Sequence, residues 1–332
     1  MRKYKMIIVA ISFVCFMGLL PAASVAMDPV SLKLASFRVG SGWYVLGGVM
    51  ADVIKNGLPA GSTVDAMPKA GGVGNPQLIG VKKADFALAF PVTANWAYNG
   101  VHKYKKKIQN IRVVAGGLDN YWVLGAVKAD SAIKSWADIK GKKIGIRLST
   151  QAKGSLSEVA ASQILKTYGT AYEDLDKLGG KILMMGFKEM VPALKEGAID
   201  GFLMMATPYH PTWTEAAISR DLRFISMDED IIKKMGAEYG YTRSVVPAGM
   251  FKGQDKDTVV IGFPTVLITR DDISDEIVYA ALTAIVANTE KIKAAYKAFE
   301  AFDPKTAWTA DKRGGVPLHP GAEKFYKEKG WM

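Results

Sequence analysis

Apolar positions along the chain recur with two rhythms, alternation and helical spacing, and the rhythms take turns. Leu32 to Val39 alternates loosely, as a strand does. Leu46, Val49, Met50 and Val53 then fall on one helical face, and Gly57-Leu58-Pro59 predicts the stop. Thr63 to Met67 reads as a strand. Asn75-Pro76 predicts a helix start, with Asn as the cap and Pro at the first helical position. Asp85 to Phe90 is the next strand. From about Trp136 the order restarts. Ile139-Lys140-Gly141 leads into a strand over Lys142 to Leu148, and a polar loop from Ser149 to Ser155 follows. Val159, Ile164 and Leu165 mark a helix, Ile182 to Gly186 a strand, Met190 and Leu194 a helix, and Asp200 to Met204 a strand. Near the end, Val266 to Thr269 is a strand. Ser274 is placed to cap a long helix carrying Ile277, Leu282 and Ile285.

Two stretches in this pattern match. KKADFALAF, Lys82 to Phe90, and KEGAIDGFLMM, Lys195 to Met205, each run from an amphipathic segment through a basic turn to Asp and a buried strand. Any helix-to-strand turn favours Lys, Gly and Asp, so each alone has a local explanation. The larger order of strand, glycine loop, helix, strand, short helix and Asp-led strand also recurs. Alternating strands and helices argue for parallel sheets built from crossover units. The expectation is therefore two similar α/β domains, one of residues 27–127 plus 263–332 and one of residues 128–262. Two hinge crossings are expected, near Gly125 to Lys128 and Gly262 to Val266. Ligands of such sheets bind beyond the carboxyl ends of the strands, which here means a cleft between the domains.

Composition changes this picture at the start of the chain. Arg2, Lys3 and Lys5 precede an apolar run from Ile7 to Leu20, Pro21 breaks it, and Ser24-Val25-Ala26 offers a cleavage site. Residues 1–26 read as a secretory signal peptide, which predicts export to the periplasm. The only cysteine, Cys15, falls inside it, so the exported chain has no thiol for a disulfide, a metal or a covalent cofactor. The length of 332 residues and a hydrophobic content of 49% suit two folded domains. The formal net charge is +11, and the leader contributes three of the bases. The densest basic run, His102 to Arg112, lies between apolar stretches and reads as a solvated loop, with no aromatic-basic motif for nucleic acid.

Candidate chemistry gathers at the predicted strand ends. Arg38, Lys69 and Arg147 each lie near one, and an arginine fork can grip a carboxylate with two parallel hydrogen bonds. Arg147, expected to end the first strand of the second domain, is the sharpest of these. Gly40-Ser41-Gly42, Gly71-Gly72 and Ser149-Thr150 precede helices whose free N–H groups attract anions. The glycines fit neither a phosphate-loop nor a dinucleotide motif. Trp43, Tyr44, Phe90, Trp96, Tyr121, Trp122 and Tyr209 cluster around the same loops. Phe90 and Tyr209 occupy corresponding places in the two domains and are expected to wall the cleft. The three histidines, His102, His210 and His319, have neither metal spacing nor triad partners. A non-enzymatic binding protein without cofactor or metal is expected.

Four segments carry a family resemblance: Gly40 to Ile54, Lys82 to Phe90, Val246 to Thr269 and Val316 to Gly330. In them the chain resembles the TAXI-type solute-binding proteins of tripartite ATP-independent periplasmic (TRAP) transporters, over essentially the whole exported chain. The resemblance implies a type II periplasmic binding fold that closes on a small solute and delivers it to an ion-gradient-driven permease. A monomer that binds a dicarboxylate, an acidic amino acid or a 2-oxoacid is expected. Service to an ATP-driven importer or to a membrane sensor remains open. Transferases of the same fold include the porphobilinogen deaminases, which need a cysteine for their cofactor. The chain departs from the family pattern at Phe37-Arg38, at Lys69-Ala70 and at Arg147, where small residues are usual.

Overall fold

The computed structural model describes residues 27–68 and 71–332. The expected signal peptide and Lys69 lie outside the described residues. Along the chain come β1 (Ser31–Ala35), α1 (Gly42–Asn56), β2 (Thr63–Met67), α2 (Gly71–Gly80), β3 (Phe86–Ala89), α3 (Pro91–Asn99) and β4 (Ile111–Ala115). There follow β5 (Asn120–Lys128), α4 (Ala137–Gly141), β6 (Arg147–Thr150), α5 (Leu156–Thr167), α6 (Tyr172–Lys177), β7 (Lys181–Met184), α7 (Phe187–Lys195), β8 (Gly201–Ala206) and α8 (Pro211–Ser219). Next are β9 (Leu222–Phe224), α9 (Glu229–Tyr239), β10 (Thr242–Val246), β11 (Thr258–Pro264) and β12 (Val266–Arg270). The tail holds α10 (Asp275–Ala287), α11 (Thr289–Ala295), a 3-10 turn at Lys297–Ala301, α12 (Ala310–Arg313) and α13 (Pro320–Glu328).

The strands form two sheets. The first has the order β2-β1-β3-β12-β4, with β1, β2 and β3 parallel and β12 antiparallel to both its neighbours. The second has the order β10-β11-β5-β8-β6-β7, and β9 joins β5. There β6, β7 and β8 are parallel, and β5 runs antiparallel to β8. Each sheet thus repeats one plan, three parallel strands in the order second-first-third with an antiparallel return strand beside them. This is the type II periplasmic binding fold.

The matching sequence stretches form one structural device, used twice. Asp85 donates its N–H to the Lys33 carbonyl of β1, and its carboxylate accepts the Lys33 N–H at 2.7 Å. Asp200 does the same with Arg147 of β6, at 2.7 and 3.0 Å. The preceding turns correspond bond for bond. Lys82 N–H bonds the Ile79 carbonyl as Gly197 bonds Leu194, and Lys83 bonds Leu78 as Ala198 bonds Ala193. Lys82 and Gly197 both sit at positive φ, 57° and 74°. In each lobe the acid satisfies a backbone N–H of the neighbouring strand where pairing between the two strands begins.

Two elements differ from the sequence expectation. The strand expected over Lys142 to Leu148 begins only at Arg147. Lys143 turns at φ 51°, and Ile144 bonds back to the Ile139 carbonyl, so those residues close a turn. Helix α2 starts at Gly71 and carries Pro76 inside it, so Asn75 is not a cap. Its buried amide donates instead to the carbonyls of Ala35, Ser36 and Leu88, tying the ends of β1 and β3 together. The passage between sheets also moves. Strand β5 is bonded along its length to β8, β9 and β11, so Gly125 to Lys128 lies inside the second sheet. The chain crosses first over 116–119 and returns at Thr265, between β11 and β12. The division therefore falls before β5 instead of at 127/128.

One apolar core runs through the first sheet and continues across the interface into α5 and α9. A second fills the far face of the second sheet, under α7 and α8. Trp96 of α3 is part of the first, and its indole N–H donates to the Tyr239 carbonyl of α9 at 2.8 Å. Among the described residues, no helix is long and apolar enough to cross a membrane.

Candidate functional site

A cavity of about 410 Å³ opens where loops from the two sheets face each other. The loops follow β1, β2, β3, β6, β7 and β8, and each leads into a helix. Residues at or beside the starts of α1, α2, α3, α5, α7 and α8 line the cavity: Gly42, Gly72, Phe90, Leu156, Phe187 and Pro211. Crossover topology explains this convergence, because parallel strands deliver every following helix start to the same edge. The first N–H groups of a helix have no partner within it, so these starts give the cleft a positive potential without charged side chains.

Rings form the wall on the first lobe. Trp43 and Phe90 lie 4.4 Å apart between centroids, and Tyr121 meets Phe90 edge-on at 5.2 Å. Phe263 backs Phe90 at 4.7 Å. Two close approaches need glycine. A Cβ on Gly72 would stand 2.6 Å from the Phe90 ring, and one on Gly42 would stand 2.8 Å from the Tyr296 ring. On the second lobe stand Met205, Thr207, Tyr209 and the Phe187–His210 pair, whose centroids are 5.2 Å apart. Tyr209 is 60% exposed and holds φ 57°, a left-handed conformation uncommon for a tyrosine. Its ring carries the Lys297 ammonium at 4.8 Å, which joins the tail of the first lobe to the lip of the second.

The two crossings meet below this wall at Asp119. Its buried carboxylate accepts the Thr265 N–H at 2.9 Å and the Tyr296 hydroxyl at 3.0 Å. Trp43 in turn donates its indole N–H to the Thr265 hydroxyl at 2.8 Å. Burial pushes the Asp119 carboxyl up to about 6, although the bonds from Thr265 and Tyr296 pull the other way. Burial first, and then the Asp119 charge, raise the Tyr296 hydroxyl well above its ordinary value. At the lip, burial lowers His210 to about 4, and its Nδ1 is buried without a partner among the described residues.

Of the residues singled out from sequence, Gly40, Ser41, Gly42, Trp43, Tyr44, Gly72, Phe90, Tyr121 and Tyr209 line the cavity. Ser41 caps α1, accepting the Tyr44 N–H at 3.1 Å and donating to the Arg38 carbonyl at 2.7 Å. Gly71 lies under the Phe37 ring, outside the lining. Ser149 and Thr150 are buried at the end of β6, and neither hydroxyl has a partner among the described residues. Trp122 is in the second core. Arg38 is exposed, with its guanidinium 4.8 Å from the centroid of the Phe37 ring.

Arg147 requires correction. It opens β6 instead of ending it, so it stands at the strand end away from the cleft. Its guanidinium forks onto Asp200, with Nε–Oδ2 at 3.0 Å and Nη2–Oδ1 at 2.7 Å, and Lys128 adds a bond at 3.0 Å. Burial pushes the Asp200 carboxyl up, but these bonds outweigh it and hold the group at about 2. Arg147 thus grips a carboxylate of its own chain.

The sequence reading missed Gln151, Phe187, Tyr296 and Lys297, all of which line the cavity. Phe187 follows Gly186 directly after a strand, which is the usual start signal. Tyr296 and Lys297 lie in the run KAAYKAF, where nothing in the spacing marks them out. Among the described residues lining the cavity, Lys297 is the only Lys or Arg, and there is no Asp or Glu. No group of three or more His, Cys, Asp or Glu suited to a metal occurs among the described residues.

The family model described as NMT1-like family matches residues 34–330. Solved structures share the fold. MatC (Rpa3494) from Rhodopseudomonas palustris, with bound malate, is similar at a TM-score of 0.52 and 13% identity, over 91% of this chain and 97% of that one. The periplasmic binding protein BugD is similar at 0.53 and 12%, over 92% of this chain and 99% of that one.

Proposed function

We propose, on the premise that this chain belongs to the NMT1-like family, that it is a periplasmic solute-binding protein that captures a small organic anion between its two lobes. The observation that carries the reading is the convergence of six helix starts from both lobes on one cavity of about 410 Å³. Such starts stabilise an anion through backbone N–H groups. The volume lies within the range of about 300–1,000 Å³ usual for small-molecule sites. The lining offers no nucleophile paired with a base, which suits capture without turnover.

The lobes would close by rotating about residues 116–119 and Thr265, where the chain passes between sheets. Delivery to a TRAP-type permease rests on the likeness of Val246 to Thr269 and Val316 to Gly330 to the TAXI-type proteins. Export rests on the leader at residues 1–26. A thermal-shift screen of the exported chain against carboxylates, sulfonates and neutral solutes tests the capture reading. A bound acid at about a hundred times its dissociation constant should add about 2.7 kcal/mol of stability. A screen in which only neutral solutes raise the melting temperature would contradict the anion reading.

A further inference from the structure

Resting on that reading, we propose that the solute is an aryl carboxylate, with its ring held between the Trp43–Phe90–Tyr121 cluster of the first lobe and the Phe187–His210 pair of the second. The cleft differs from a diacid site in three ways. First, its walls are rich in rings. Trp43, Tyr44, Phe90, Tyr121, Phe187 and Tyr209 all line it, and the first-lobe cluster already uses tilted and edge-on contacts at 4.4–5.2 Å. A planar ring continues that packing, and rings prefer such offset and edge-on arrangements. Second, side-chain charge compensation comes from a single cation. Lys297 is the sole Lys or Arg among the described lining residues. Arg147, the expected carboxylate clamp, is bonded to Asp200. A second carboxylate would therefore exchange its water for backbone N–H groups alone, without a cation, which is costly. Third, the cavity of about 410 Å³ has room for a ring that carries further substituents.

The polar groups then have distinct roles. The helix starts and Lys297 hold the carboxylate. The His210 Nδ1, buried without a partner among the described residues, can bond a polar substituent on the ring. Gly72 lets the Phe90 ring lie flat against α2, and so shapes the slot that the ring enters.

Titration calorimetry on the whole exported chain tests this with benzoate, cyclohexanecarboxylate, succinate and benzyl alcohol. Benzoate should bind roughly two- to tenfold more tightly than cyclohexanecarboxylate, the margin that ring-on-ring contacts supply. It should bind about tenfold or more tightly than succinate. Phe187 is only half-buried at the start of α7, so Phe187→Ala should fold. That variant should weaken benzoate about tenfold and succinate much less. Succinate binding as tightly as benzoate would overturn the inference and leave the organic-anion reading standing. Benzyl alcohol binding as tightly as benzoate would overturn the carboxylate, and the anion reading with it. If none of the four binds the folded chain, both fail.

Discussion

Asp119 is fully buried, yet it ties both crossings of the chain to the wall of the cleft. Its acidity is therefore a stability variable. Burial raises its carboxyl to about 6 in the folded protein, above the roughly 3.9 of an unfolded aspartate. The folded state consequently holds this proton more tightly. The stabilisation is complete below a pH of about 3.9 and is lost as the pH rises through about 6. Asp119→Asn removes the titration and keeps an acceptor for the Thr265 N–H. Urea unfolding of both proteins at acid and neutral pH should show the stability difference shifting by on the order of 3 kcal/mol in favour of the variant as the pH rises. A difference that stays constant across that window would mean that Asp119 is ionised throughout. Arg147 illustrates the opposite case among charged residues. Its fork is satisfied within the chain by Asp200, so neither its residue type nor its expected strand position could say where the charge points.

At the scale of elements, the paired Asp turns make a sharper test of how the lobes are built. Asp85 and Asp200 each cap a neighbouring strand through a backbone N–H, and each also holds an arginine, Arg270 at 2.7 Å and Arg147 at 2.7 Å. Replacing either by Ala leaves a strand N–H without its partner, at a cost of about 1–3 kcal/mol. Asp200→Ala should cost more, because Arg147 and Lys128 both lose their acid there, whereas Arg270 keeps Asp272. The two sites share no partner, so the double variant should be additive to about 0.5 kcal/mol in urea melts. Strong non-additivity would show that the two turns act as one unit. Most elements in this frame could be read from the chain itself. Thr63 to Met67 is the strand that alternation predicts, and Ser274 caps α10 by accepting the Ile277 N–H. The repeated Asp turns revealed the doubling because their function is local and their chemistry is the same in both lobes. The start of β6 was misplaced because Lys142 to Ile146 alternates like a strand while its backbone closes a turn. Strands β4, β5 and β11 had no amphipathic signal, since they are buried almost throughout. The cleft was legible where it follows from topology, at Gly40 to Tyr44, Gly72, Phe90 and Tyr209. It was not legible at Tyr296 and Lys297, which reach the cleft from a tail whose path no local pattern encodes.

For the whole molecule, the central claim is that a solute sits between the lobes and is held by loops from both. The sheets repeat one plan, the chain crosses between them at 116–119 and Thr265, and helix starts from each side share one cavity. Gln151 offers a way to close that cavity without disturbing a core. It lies in the loop after β6, is partly exposed and lines the cleft, so Gln151→Trp should fill the space and leave folding intact. Titration calorimetry of the parent chain and Gln151→Trp against the same acid, with equal melting temperatures as the control for folding, is the most direct measurement. The account predicts saturable one-to-one binding to the parent and a loss of about tenfold or more in the variant, about 1.4 kcal/mol or more. Undiminished binding by the filled variant would place the solute elsewhere and contradict the account.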